Sequence, residues 1–359
     1  MSEALNNVQN VVGKTTLPVL NNVKVSAADG NVEFTCTDLD ITLLARAECE
    51  VVEAGETTLP VKTLASAVSK VVDCTIDIKV DANTDKATMS AGNTVFKFIG
   101  ISAKEFPVAP KAEGAEATIS SAAIREMLRK TSFAVCQDET RRTLQSLMID
   151  FEEGAGNVKA VATDGRRLAL IEGTIEGAKG FKGQYLLPRK AVDILLKRLP
   201  KDGDCTIVTS KSQIFFRTNK MEFMMKLCDE VYPNYGQVIP KETKFSIPID
   251  RVSLIGAIDR ISIFTSMTEA PCVALKFEDN KCKLSSGDTE FGDAKDEVPI
   301  KYDGDSITMC FNPQYIKDVL NVIDEDEVEV FITDSAKPAI IRKAGSMDYT
   351  YVVMPLRTH

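Results

Sequence analysis

Few residues in this chain could carry out covalent chemistry. One histidine, His359, stands among 359 residues. That excludes a Ser-His-Asp or Cys-His arrangement unless a frayed terminus supplies the base. Nine cysteines, at 36, 49, 74, 136, 205, 228, 272, 282 and 310, are odd in number and contain no Cys-x-x-Cys pair, so neither a zinc site nor a disulfide framework is expected. Several, Cys36 and Cys310 among them, lie inside apolar runs and read as reduced, mostly buried small hydrophobes. Gly287 and Gly292 have the glycine spacing of a phosphate loop, but Asp293 and Ala294 stand where a lysine and a hydroxyl are needed. The acidic run 324–330 lacks the glycine and the twelfth-position glutamate of a calcium loop, and reads as a solvated turn. Thr163-Asp164-Gly165, followed by Arg166 and Arg167, reads as a hairpin turn with no nucleophile beside it. No catalytic residue, metal or cofactor is expected.

The feature that remains is charge. LPRKAVDILLKRL, residues 187–199, carries four positive side chains against one negative in a chain whose formal net charge is -9. Val192, Leu195, Leu196 and Leu199 recur at the spacing of one apolar helical face. Arg189, Lys190 and Lys197 fall together on the opposite side, with only Asp193 among them. By itself such a helix reads as a solvated face, and the rest of the sequence must decide whether its charge has a further use.

That helix belongs to a threefold repeat. LPVKTLASAVSKV, LPRKAVDILLKRL and FNPQYIKDVLNVI each read as a helix opened by a proline, at 60, 188 and 313. Alternating strands precede each one, with turn signals such as Asp29-Gly30 and Asp279-Asn280, and more strands follow. In the middle copy Met221, Phe223, Met225 and Leu227 alternate with Glu222, Met224 and Lys226, a weak period of two. A first helix opens each copy, at SEALNNVQNVV, SAAIREMLRKTSFAV and DRVSLIGAIDRISIF. Copies two and three place a short strand before it, whereas copy one starts directly in the helix. Polar links near 110–117 and 240–244 mark the boundaries, giving domains 1–113, 114–243 and 244–359.

Basic residues are spread over the copies. Lys62 and Lys70 stand at the same offsets from their proline as Lys190 and Arg198; Arg125, Arg129 and Lys130 add charge to the first helix of copy two, and copy three is marked more thinly by Arg251, Arg260 and Lys317. An enzyme would concentrate unusual polar residues in one copy; this distribution suits a repeated binding surface. With 44% hydrophobic and 26% charged residues, the composition is ordinary for a globular protein. No apolar run is long enough for a membrane span, and the first residues lack a basic stretch followed by an apolar one, so a cytoplasmic location is expected.

At TTLPVLNNV, FTCTDLD, KEFP, VATDGRRLAL, LLPRKAV, YPNYGQVIPK and YVVMPLR the sequence resembles the bacterial DNA polymerase III beta-subunit family, the sliding clamps, in family order through nearly the whole chain. The resemblance implies an α+β DNA-clamp fold of three similar domains, each with two helices packed on antiparallel sheets, and a head-to-tail homodimeric ring. Its implied role is a processivity factor that encircles duplex DNA without reading sequence. The implied partners are the replicative polymerase, the clamp loader and repair proteins, bound through short peptides. Lys14, Lys62, Lys70, Arg125, Arg129, Lys130, Arg189, Lys190, Lys197 and Arg198 are then the expected DNA-facing set. Phe96, Phe98, Ile263 and Phe264 match the family's subunit interface. The implied peptide cleft draws Leu144, Thr163, Gly165, Arg166, Arg167 and Leu168 from one region. Pro233, Gln237, Val238 and Pro338 come from loops, and Val352, Val353, Met354, Pro355, Leu356 and Arg357 from the tail. Leu168, Val238, Val352 and Met354 are expected to hold the peptide's apolar side chains, with Gly165 and Arg357 orienting its backbone. Arg166 and Gln237 stand where the family more often has histidine and arginine, and Thr358 and His359 extend past its usual end. The alternatives are a clamp-like scaffold working outside replication and a nucleic-acid enzyme built on three repeats.

Overall fold

The computed structural model describes residues 1–13, 15–71, 74–81, 83–266, 271–287 and 292–357. Lys14, residues 288–291 of the glycine-spaced segment, and Thr358 and His359 therefore lie outside the described residues. Copy one runs α1 (Ser2–Val8), β1 (Asn22–Ala28), β2 (Asn31–Thr37), β3 (Ile41–Glu48), β4 (Gly55–Pro60), α2 (Val61–Lys70), β5 (Ile76–Asp81), β6 (Lys86–Ala91) and β7 (Thr94–Ile99). Copy two follows as β8 (Ala115–Ser120), α3 (Ser121–Thr131), β9 (Ser146–Phe151), β10 (Asn157–Thr163), β11 (Arg167–Thr174), β12 (Gly183–Pro188), α4 (Arg189–Arg198), β13 (Asp204–Thr209), β14 (Gln213–Arg217) and β15 (Met221–Lys226). Copy three comprises β16 (Phe245–Asp250), α5 (Arg251–Thr265), β17 (Val273–Glu278), β18 (Lys281–Ser285), β19 (Lys295–Pro299), β20 (Ile307–Phe311), α6 (Pro313–Val322), β21 (Glu327–Ile332), β22 (Ala339–Lys343) and β23 (Tyr349–Val353).

Local chemistry explains these boundaries. The Asp250 carboxylate accepts the Ser253 N–H at 2.7 Å and caps α5, and the Asn312 side chain caps α6 one residue before Pro313. Only Pro313 lies inside its helix. Pro60 and Pro188 instead close β4 and β12, paired with Asn22 and Ser146, because a strand's last position tolerates a missing N–H. The helix expected over 187–199 thus begins at Arg189. On α2, Val61, Leu64, Ala65 and Val68 are buried at helical spacing, leaving Lys62 and Lys70 outside. Asp29-Gly30 and Asp279-Asn280 all have positive φ and join β1 to β2 and β17 to β18 as two-residue hairpin turns.

The chain packs as two compact units that do not coincide with the three repeats. Unit one holds residues 1–122, 176–181 and 190–228; unit two holds 123–175, 182–189 and 229–359. Strand pairing between copies is the reason. In unit one the meander β4-β1-β2-β3 continues into β15-β14-β13-β8 of the next copy, with Leu43 opposite Phe223. In unit two β12-β9-β10-β11 continues into β23-β22-β21-β16, with Leu168 opposite Val352. Two smaller sheets remain, β5-β6-β7 in unit one and β19-β18-β17-β20 in unit two.

Met224 departs from the expected alternation. It is buried with Val208 and Phe215, and Ala112 of the polar link packs on them. The link runs so close to β13 that a Cβ at Gly114 would stand 1.7 Å from the Thr209 carbonyl oxygen, so glycine is needed there. The outer face of this hairpin is covered by its own linker rather than by water.

Candidate functional site

The turn between β10 and β11 is built by Thr163 and Asp164. The Asp164 carboxylate accepts the N–H groups of Arg166 and Arg167 at 2.9 and 3.0 Å. The Thr163 hydroxyl donates to the Arg167 carbonyl at 2.6 Å and accepts the Gly165 N–H at 3.1 Å. Gly165 sits at φ 83°, and a Cβ there would meet the Arg141 guanidinium at 2.9 Å, where Arg141 donates to the Asp164 carbonyl. Gly165 and Arg166 are exposed at the tip.

Arg167 turns inward. Its buried guanidinium pairs with Asp164 at 3.0 Å and Asp318 at 2.5 Å, donates to the Phe133 carbonyl at 2.8 Å, and lies over the Tyr315 and Phe133 rings. Burial opposes the charge, but Tyr351, Asp318 and Asp164 outweigh it and hold the arginine firmly protonated. Arg167 is therefore a buried strut that holds the β10–β11 turn to α6. Asp318 and Tyr315 of α6 and Phe133 are partners that the sequence reading missed, since nothing local in YIKDVL or TSFAV points at residue 167. Arg167→Ala strands two half-buried carboxylates and lowers stability by about 3 kcal/mol, and Arg167→Lys restores little, because one ammonium cannot reproduce the planar fork. A urea titration of both variants measures this.

The tail continues from β23. Leu168 and Val352, expected to hold a ligand's side chains, are paired within the sheet and fully buried, as is Val353. The reason is that β11 and β23 are covered on both faces. The exposed large apolar side chains among the expected cleft residues are Val238 and Met354, at 48% and 43%. Met354 donates its N–H to the Arg166 carbonyl at 2.9 Å, and Leu356 donates to the Cys310 carbonyl at 2.7 Å, so the tail is tied at two points. Pro233, Gln237 and Arg357 are exposed, Pro338, Pro355 and Leu356 half-buried, and Leu144 and Thr163 buried.

The basic set divides. Lys62, Lys70 and Lys197 are exposed and without an ion pair among the described residues; Lys190 is exposed but pairs with Asp38. Arg125 and Arg189 are half-buried. Two expected contacts are taken up by structure. Lys130 is buried, paired with Glu126 at 2.7 Å and set over the Tyr349 ring; Arg129 pairs with Glu126 at 2.9 Å and Asp324 at 2.6 Å. Arg198 is half-buried, reaches Asn7 at 3.3 Å and lines a concavity of about 770 Å³ with Lys197, Arg217 and Lys220. Leu196 is only half-buried on α4, and Ile194 joins the buried face.

At the sheet edges, Phe98 is buried in its own sheet and Phe96 half-buried, stacked at 6.4 Å between ring centroids. Ile263 is 59% exposed near the end of α5, and Phe264 is half-buried. The sequence reading overlooked Val95 and Ile99, exposed at 57% and 75% on the same strand, because an alternation of apolar residues on both sides of β7 does not say which side is covered. The cysteines are all free, but only Cys36, Cys136, Cys205 and Cys282 are buried. Cys310 is half-exposed because it lies on the outer side of β20, so "mostly buried" does not hold. Among the described residues no group of three His, Cys, Asp or Glu side chains is arranged to hold a metal, and no helix is long and apolar enough to cross a membrane.

This architecture recurs in solved DNA polymerase sliding clamps. One from Pseudomonas aeruginosa is 30% identical, with TM-score 0.91, covering 99% of this chain and 97% of that one. A sliding clamp from Bartonella birtlesii bound to griselimycin is 29% identical, with TM-score 0.93 and the same coverage. The Pseudomonas putida beta sliding clamp is 31% identical over 96% of this chain and 94% of its own length. Family models for the N-terminal, central and C-terminal domains of the DNA polymerase III beta subunit match residues 1–110, 118–234 and 236–357. The chain belongs to the DNA polymerase III beta-subunit family and has its three-domain clamp fold.

Proposed function

We propose that two copies of this chain close head to tail into a ring around duplex DNA and hold a polymerase to its template as a non-catalytic processivity factor in the cytoplasm. Strand pairing is the observation that carries this reading. Each repeat ends its meander in a third strand, β3, β11 or β19, and closes in a last strand, β7, β15 or β23. The chain itself joins β3 to β15 and β11 to β23, which leaves β19 and β7 as unpaired edges among the described residues. A second copy supplies the missing partner for each, and domains 1–113, 114–243 and 244–359 then become six equivalent segments of a closed wall.

Retention by closure leaves the DNA contact weak and sequence-blind. Lys62, Lys70, Arg189 and Lys197 attract phosphates through water and at long range, equally at every base pair, while the net charge of -9 keeps the duplex off the outer surface. Partner peptides bind at the tip Gly165-Arg166 and along Val238, Met354 and Leu356; that a related clamp was solved with griselimycin supports a ligand site in this fold. Replacing Lys62, Lys70, Arg189 and Lys197 by glutamate reduces retention on circular primed DNA at least tenfold, more at raised salt and alike for every template. Losses that depend on template sequence would contradict a sliding surface. The overall role is tested by primer extension with a cognate polymerase and loader: long products that require this protein support it, and unchanged product length removes it.

A further inference from the structure

Two of the nine free thiols meet. Ala274 on β17 stands opposite Cys310 on β20, and Val273 opposite Phe311. Side chains alternate between the faces of a strand, and here Val273, Leu275, Phe277, Met309 and Phe311 are buried, whereas Ala274 and Cys310 are half-exposed on the other face. Cys272 immediately precedes β17, two residues before Ala274, and is half-exposed like Ala274 and Cys310. The Cys272 and Cys310 thiols influence each other's protonation, and both residues are half-exposed, so a small reagent reaches them. The neighbouring Cys272 brings the Cys310 thiol down to about 7, while Cys272 is driven upward by Cys310 and by burial. Cys205 and Cys282 contrast with this pair: burial pushes both up to about 12, which leaves them inert.

The pair stands at a structural anchor. The Cys310 carbonyl accepts the Leu356 N–H at 2.7 Å, an isolated bridge that ties the C-terminal tail to β20. We propose that Cys272 and Cys310 form a thiol-modification site that a peroxide converts into a disulfide, clamping β17 to β20 under the anchor of the tail. The Cys310 thiolate attacks one peroxide oxygen; the O–O bond breaks, and hydroxide leaves and takes a proton to become water. The resulting sulfenic acid is attacked by the Cys272 sulfur, which gives up its proton, and the S–S bond forms as the second oxygen departs as water. Two thiols lose two protons and two electrons, and one hydrogen peroxide becomes two waters. Because the crosslink spans neighbouring strands, it suppresses the local opening that frees the Cys310 carbonyl.

The test treats the full-length protein with hydrogen peroxide at neutral pH, blocks remaining thiols with N-ethylmaleimide, and maps unreduced peptides by mass spectrometry. A peptide pair joined through Cys272 and Cys310, two hydrogen masses lighter than the reduced pair and released by dithiothreitol, is expected. Cys272→Ser should abolish the crosslink and leave a dimedone-trappable sulfenic acid on Cys310; Cys310→Ser should abolish both. Amide exchange at Leu356 should slow several-fold in the oxidised native protein. Separate alkylation or sulfinic acids on both residues with no crosslink, pairing with a different cysteine, or unchanged exchange at Leu356 would overturn the proposal.

Discussion

Replacing Ile263 by aspartate converts the dimer into folded monomers, so that light scattering at micromolar concentration gives the 39.2 kDa of one chain. Ile263 is 59% exposed within its own chain, on a helix that packs beside the free edge strand β19, so the substitution removes no contact from that chain's core. In the proposed ring the same side chain would be covered by the β7 edge of the second copy, and a buried, unpaired carboxylate there costs about 3 kcal/mol. A two-membered ring has two such interfaces and each contains one substituted residue, so the total is about 6 kcal/mol, or roughly 10⁴ in the dissociation constant. Circular dichroism and the thermal transition stay close to those of the parent. Val252→Asp serves as the control: it is equally exposed on α5 but eleven residues earlier, about 16 Å along the axis, and leaves the dimer intact. Phe98→Asp is not an equivalent test, because Phe98 is already buried in its own sheet and a charge there damages the monomer itself. A dimer that persists in Ile263→Asp would remove edge pairing between β7 and β19 as the basis of assembly.

The repeat, the helices and the hairpin turns were legible in the sequence because each depends on residues close together in the chain. Helical spacing placed Val61, Leu64 and Val68 inside, and the positive-φ pairs at 29–30 and 279–280 marked their turns. What was not legible is long-range. Pairing of Leu43 with Phe223, or of Leu168 with Val352, joins strands about 180 residues apart and leaves no local signature, which is why two compact units were not foreseen. The same limit affects single residues. Lys130 lies at the edge of an amphipathic helix, where periodicity allows either exposure, and its burial is decided by Glu126 together with Tyr349, 219 residues away. Leu168 and Val352 matched the family's cleft positions, but both belong to strands covered on two faces, where an apolar residue in a binding wall reads the same as one in the core.

Removing residues 355–359 abolishes binding of a glutamine- and leucine-rich clamp-binding peptide while the dimer and the fold survive. The deletion takes away Pro355, Leu356 and Arg357 and cuts the tie from the Leu356 N–H to the Cys310 carbonyl, so Met354 loses the segment that fixes it beyond β23. The strand itself is untouched: β23 remains paired with β11 on one side and β22 on the other, so the sheet and its buried Tyr349 and Tyr351 stay in place. The ligand surface loses Pro355 and Leu356, and Met354 keeps only its own tie to the Arg166 carbonyl; a few well-placed side chains usually carry most of the affinity of such a contact. Fluorescence anisotropy should show at least a hundredfold loss, about 2.7 kcal/mol, with Met354→Ala alone costing about 1 to 2 kcal/mol. A flexible thioether at that position also predicts that peptides of different sequence weaken together in Met354→Ala, since methionine adapts to each. The dimer mass is unchanged, because the proposed subunit contact uses β7, β19 and Ile263 and none of the deleted residues. Undiminished peptide affinity in a folded, dimeric deletion variant would place the partner site elsewhere on the chain.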